Sequence, residues 1–359
     1  MRFTGLLLVV ALGLLPGCST PPVLVQKVEF GGSIWSAGQR RAGVLFQDGG
    51  QSIPVSGGTL WLFGDTFYGQ PPVGLPPQNS QIKGARWTTI ALLPTNHTNL
   101  PPILAYYTNR DGLVANPIDL FPGEDEKHHR IWPAGGVSLG SRFYLYYSLI
   151  ETTDAPGPWN FHGLGGGLSV AEEVPGHFTR LQPDGHWKFP VEPVQVLREG
   201  EVLYLFEVSS QPKGLLLARV KVAEIEHPAA YEFFTGAGWS NQRAQAKVVL
   251  KEAYGQVSVM RLPGADDYLL ATSSDVFHPR EIQLRRSRHL EGPWSAPVRL
   301  AVPEFPGKKT ELVYCTFLHP ELSGTGSQQL VATFCRTLEG NWNLCNPEWV
   351  LLTLGPPRR

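Results

Sequence analysis

The sequence predicts an all-β chain folded as a single five-bladed β-propeller. Composition is the first observation: 39 Gly and 32 Pro against 2 Met among 359 residues favour short strands joined by turns over long helices, whose interiors Gly and Pro disrupt. The second is repetition. An apolar, aromatic run with the pattern of a hairpin's second strand recurs at 59–67, 143–150, 202–209, 267–274 and 328–336, mostly at intervals of roughly 60 residues. The third is that each run has a turn signal and a strand before it and a further strand after it. Repeated antiparallel units of this kind bury both faces by wrapping radially about an axis.

Taken in order, the chain opens with Arg2, an apolar run over 6–15 and Leu15-Pro16-Gly17-Cys18. The apolar run suits a signal-peptide core and is well short of the roughly 20 residues of a membrane-spanning helix. Leu-Pro-Gly-Cys resembles the bacterial lipobox, which implies that Cys18 is acylated and becomes the mature first residue; Ser19 resembles the outer-membrane sorting pattern. The expected organisation is therefore a lipoprotein signal peptide over 1–18 and a propeller over 23–355. The propeller would be tethered to the outer membrane, on its periplasmic or surface face, through the lipid alone.

The first hairpin is expected from two extended runs, 44–55 and 59–67, separated by Ser56-Gly57-Gly58, small residues that accept the positive φ of a tight reversal. Blades two to four follow the same plan, with strands over 130–139, 191–197 and 256–262 before turns at Gly140-Ser141, Glu199-Gly200 and Pro263-Gly264. In blade five the strand over 312–318 precedes a loop at 324–327. Third strands are expected at 87–93, 167–172, 215–220, 282–286 and 349–354. The last unit stops at its third strand, leaving an edge, and residues 23–30 form an unassigned strand that would close the fifth blade.

A formal net charge of −1, from 30 basic and 31 acidic residues without a basic cluster, gives no electrostatic footprint for nucleic acid. Without Cys18, three cysteines remain, an odd number for an oxidising compartment. Pairing about the 324–327 loop sets Cys315 against Cys335, so a disulfide is expected between them, with Cys345 left over.

Candidate chemistry begins in the first hairpin. With the reversal at Ser56-Gly57, Asp48 falls opposite Asp65, and directly opposed residues share a face. Two carboxylates that close repel, which a purely structural strand such as Leu60-Trp61-Leu62-Phe63 has no reason to accept. The alternative is that Asp48 opens an Asp-Gly turn and Asp65 ends a strand beside Thr66; a one-residue slip would separate them. The channel-lining strands of later blades offer Arg130 and Trp132, then Glu192 with Glu207, then Tyr314, His319 and Glu321. For Glu192 the alternative is a strand-start residue, and for Glu321 a loop ion pair.

Paired carboxylates are what glycoside hydrolysis needs, and Trp, Tyr, Arg and His suit sugar faces and hydroxyls. The histidines, with His128-His129 adjacent and His162, His278 and His319 far apart, show no metal-ligand spacing. A Gly-x-Ser-x-Gly elbow is missing. Neither a metal nor another cofactor is expected.

Asp48-Gly49-Gly50, Leu60-Trp61-Leu62-Phe63-Gly64-Asp65-Thr66 and His319-Pro320-Glu321-Leu322-Ser323 resemble a secreted bacterial five-bladed propeller family long labelled a domain of unknown function, some members of which are endo-D-arabinanases. Leu290-Glu291-Gly292-Pro293-Trp294-Ser295 also resembles an outer-strand signature of arabinanase and fructosidase propellers. The resemblance implies a glycoside hydrolase acting on a furanose-containing, arabinan-like polysaccharide or oligosaccharide, with Asp48 and Asp65 as the catalytic pair. Arg130, Trp132, Glu192, Tyr314, His319 and Glu321 would contact substrate. From position, Asp48 on the channel-lining strand is expected to stay ionised as the base, and Asp65, set behind Leu62 and Phe63, to be the acid. The competing reading is a non-catalytic sugar-binding or assembly lipoprotein. A monomer is expected in either case.

Overall fold

The structure, a computed structural model, describes residues 20–70, 77–95, 99–157, 159–262, 264–273, 280–323, 328–340 and 345–355. Cys18, with the whole expected leader, and His278 lie outside the described residues.

Five antiparallel sheets, each taking its strands in nearly sequential order, form the blades of a propeller. Blade one contains Val44–Val55, Gly58–Gly69, Thr89–Pro94 and Ala105–Tyr106, with Ile82–Arg86 as an extra strand on Gly58–Gly69. Blade two contains His129–Leu139, Arg142–Thr152, Phe161–Ala171 and Thr179–Arg180. Blade three contains Gln195–Glu199, Val202–Ser210, Lys213–Lys221, Glu232–Phe234 and Trp239–Ser240, and blade four Tyr254–Arg261, Tyr268–Ser273, Glu281–Ser287 and Val298–Ala301. In blade five, Thr310–His319, Gln329–Leu338 and Glu348–Leu354 are joined on the outside by the N-terminal strand Val25–Ser33. That strand pairs antiparallel with Glu348–Leu354, Val28 opposite Leu352 and Phe30 opposite Val350. The ring is closed as the open edge demanded, two to three residues later along the chain than expected.

Alternation along the second strands explains why the blades stack. In Gly58–Gly69, Leu60 and Leu62 point towards blade two and meet Ile131, Phe143 and Leu145. Trp61 and Phe63 point the other way and meet Val331 and Leu322 of blade five. The same period of two sends Phe143, Leu145 and Tyr147 to blade one and Tyr144 and Tyr146 to blade three. Separate apolar clusters join blades three and four and blades four and five. Each such side chain, fully buried, stabilises the fold by about 1.5–3 kcal/mol relative to exposure.

The innermost strands run in the same direction about the axis, as two contacts between blades one and five show. Tyr314 reaches Asp48, while five residues further on His319 reaches Ser52. Groups at the starts of the inner strands therefore share one face of the ring, and groups at their ends share the other.

Candidate active site

The first hairpin keeps the expected register at both ends, with Gln51 opposite Leu62 and Gln47 opposite Thr66. Between those pairs it bulges. Gly49 and Gly50 take φ of 89° and 104°, conformations in the left-handed region that favours glycine, and Gly49 lies opposite Phe63. Asp48 is thereby left against Gly64 and Asp65. Gly64 makes room for this, because a Cβ at that position would stand 2.5 Å from Asp48 Oδ1 and displace the carboxyl. Thr66 fixes the far side of the bulge by donating to the Gly64 carbonyl at 3.0 Å and bonding the Thr89 hydroxyl at 2.8 Å.

The two carboxyl groups meet different partners. Asp48 accepts from the Asp65 backbone N–H and from the Tyr314 hydroxyl, at 3.3 Å from the latter. Asp65 accepts from Trp132 Nε1 at 2.7 Å and feels the Arg130 guanidinium, which stacks 4.0 Å over the Trp87 ring. Both acids are hemmed in by protein yet keep part of their surface exposed. Burial, reinforced by the Asp65 charge, pushes Asp48 up to about 8 despite its two hydrogen bonds. Burial also raises Asp65, but the Trp132 bond and Arg130 oppose it. At neutral pH the pair is best described as sharing one proton, held mainly on Asp48. This reverses the expected roles: the channel-lining strand leaves Asp48 less hydrated, and it is Asp65 that has a cation beside it.

Arg130, Trp132 and Tyr314 are thus brought to the pair. Glu192 lies just before the inner strand of blade three, where it accepts from Ser148 Oγ at 3.0 Å, and burial raises its carboxyl. Ser148 lies directly opposite Trp132. One cross-strand pair of blade two therefore holds Asp65 through Trp132 and Glu192 through Ser148. Glu207 accepts from the Glu192 backbone N–H at 3.3 Å and forms a forked ion pair with Arg243, which the spacing of the acids did not reveal.

His319 and Glu321 do not join the site, contrary to expectation. His319 is fully buried at the opposite end of its strand, and its ring lies 4.3 Å from that of Trp61 and parallel to it. Its nitrogens bond Ser52 at 2.8 Å, Thr333 at 2.7 Å and Glu321 at 3.2 Å. Five residues of strand, roughly 16 Å, separate it from Tyr314. It joins blades one and five.

The expected disulfide is also absent. Cys315, Cys335 and Cys345 are buried free thiols. Cys315 takes φ of 52° in a bulge between Tyr314 and Phe317, so Cys335 faces Tyr314 in the ladder in place of Cys315. The thiols donate to neighbouring acceptors: Cys335 to the Gly49 carbonyl, Cys345 to the Gln47 carbonyl and Cys315 to Gln256 Oε1. The carbonyls on either side of Asp48 are thus both bound by cysteines of blade five.

Among the described residues, no group of three His, Cys, Asp or Glu side chains could hold a metal ion. A depression of about 420 Å³ lined by Arg261, Leu262, Gly264, Ala265 and Asp266 lies where the inner strand of blade four ends, away from the acids.

Fold and site together define a five-bladed propeller with paired aspartates in the first hairpin of blade one. The chain belongs to the family described as "Domain of unknown function (DUF4185)", whose model matches residues 39–337. No curated protein matches the chain. Among solved structures it is similar to a Bacteroides ovatus protein described as a candidate hydrolase, at 17% identity, covering 94% of this chain and 93% of that one, with a TM-score of 0.64. It is also similar to an exo-β-1,3-galactanase of Phanerochaete chrysosporium, at 10% identity and a TM-score of 0.51, covering 90% of this chain and 64% of that one. The structural neighbours thus include glycoside hydrolase propellers, and at these identities the likeness is one of fold.

Proposed function

We propose that this protein is a glycoside hydrolase that cleaves furanosidic bonds in an arabinan-like polysaccharide, using Asp48 and Asp65. One observation carries the reading: two carboxyl groups meet in the first hairpin, both raised by burial, with Asp48 pushed up to about 8 while the Trp132 bond and Arg130 oppose the rise of Asp65. That division is what a proton donor and an anionic partner need at the same pH. Asp48, protonated, gives its proton to the glycosidic oxygen. Asp65, held by Trp132 and Arg130, supplies the negative charge, as base towards water or as nucleophile towards the sugar carbon. Tyr314, a neutral phenol because burial raises it well above its usual range, donates to Asp48 and stabilises the carboxylate left after proton transfer.

The protein would act as a monomer tethered to the outer membrane through acylated Cys18. Screening the protein lacking residues 1–18 against arabinan and arabinogalactan for released oligosaccharides tests the activity. Release that disappears in both Asp48→Asn and Asp65→Asn supports the reading, whereas wild-type turnover in both variants refutes it. Fatty-acid labelling lost in Cys18→Ser tests the anchor, and labelling that persists refutes it.

A further inference from the structure

Trp159 is the most exposed large hydrophobic side chain among the described residues, at 56% of its surface. It stands in the connection between strands Arg142–Thr152 and Phe161–Ala171 of blade two. Because Glu151 pairs with His129 at the start of the inner strand, that connection rises on the face that carries Asp65 and Trp132. Its base is fastened. Thr153 N–H donates to the Asn160 carbonyl at 2.7 Å, and Asn160 Nδ2 donates back to the Thr153 carbonyl at 3.1 Å.

The rings form a series leading out from the acids. Trp132, which donates to Asp65, meets Phe161 edge to face with centroids 4.9 Å apart. Phe161 in turn meets Trp159 at 6.1 Å, tilted by 51°. The next residue along, His162, turns to the other face of the blade, where it bonds Glu151 at 3.1 Å. An exposed indole matches the apolar C–H face of a sugar ring. A large protein partner would ask for a contiguous apolar patch, and this is a single ring with polar neighbours.

We propose that Trp159, backed by Phe161, is a stacking subsite for a sugar unit of the polysaccharide on one side of the Asp48–Asp65 pair. The proposal rests on the hydrolase reading for its substrate class. It makes a separate demand: the subsite grips a unit that is not being cleaved, so it serves long chains and not minimal substrates.

The test combines Trp159→Ala and Trp159→Phe with two readouts. In an Asp48→Asn background, native gels containing soluble arabinan or arabinogalactan measure binding without consuming polymer. Trp159→Ala should weaken retardation by roughly three- to tenfold, the factor a ring contact of this size carries, and Trp159→Phe should recover much of it. In the active protein, Trp159→Ala should raise KM for polymer by a similar factor, while kcat and turnover of a nitrophenyl arabinofuranoside stay unchanged. If wild type hydrolyses arabinan and Trp159→Ala matches it in KM and retardation, the subsite is overturned and the hydrolase reading stands. If nothing is hydrolysed yet polymer retardation depends on Trp159, the subsite stands and the hydrolase reading falls. Absence of both hydrolysis and retardation overturns the two together.

Discussion

Replacing Asp48 with Asn should stabilise the protein at alkaline pH while abolishing the proposed turnover, because this carboxyl is held where burial opposes its ionisation. An unfolded aspartate titrates near pH 4, whereas in the fold Asp48 is pushed up to about 8 by burial and by Asp65. Between those values the folded chain keeps a proton that the unfolded chain has released. Stability from this group is therefore greatest below about pH 4, declines as pH rises, and levels off above about pH 8. Roughly four pH units at about 1.4 kcal/mol each set an upper bound near 5–6 kcal/mol. Sharing the proton with Asp65, together with partial solvent access, reduces this to about 2–4 kcal/mol. Asn cannot ionise, so the variant should escape that decline and melt roughly 3–6 °C above wild type at pH 9, at about 1.4 °C per kcal/mol for a chain of this size. Calorimetric melting from pH 5 to pH 9 reads the effect directly. Parallel curves for wild type and Asp48→Asn would refute the assignment of the shared proton. The same variant should bind arabinan and lose at least roughly a hundredfold in kcat.

Trp132→Phe removes the hydrogen bond that opposes protonation of Asp65, so the acid limb of the pH–rate profile should move to higher pH; an unmoved limb would show that Asp65 is not the ionised partner. Leu62→Ala should destabilise the fold by about 2–5 kcal/mol by opening a cavity between blades one and two, and chemical denaturation reads the loss. In protein lacking residues 1–18, thiol titration should find no reactive cysteine in the native state and three after unfolding. A count of one after unfolding would mean that a disulfide had formed.

Local patterns in the sequence carried the architecture. Alternation along Leu60-Trp61-Leu62-Phe63 assigns each side chain to one of two faces, five repeats require five blades, and an incomplete last blade requires a strand from elsewhere. The aspartate pair was legible for the same reason, since hairpin register follows from the turn. Bulges, by contrast, are set by contacts with other blades. The one at Gly49-Gly50 keeps Asp48 beside Asp65, while the one at Cys315 sets Tyr314, in place of Cys315, opposite Cys335 in the ladder. The end of the ring to which a residue belongs is likewise invisible in a linear motif, and so His319 and Glu321 read as site residues while standing at the far end of their strand. Protonation was decided last of all. Whether Asp48 or Asp65 holds the proton depends on Trp132, Arg130 and Tyr314 arriving from blades two and five, because a carboxyl pKa answers to the charges and dipoles packed around it and not to its place in the chain.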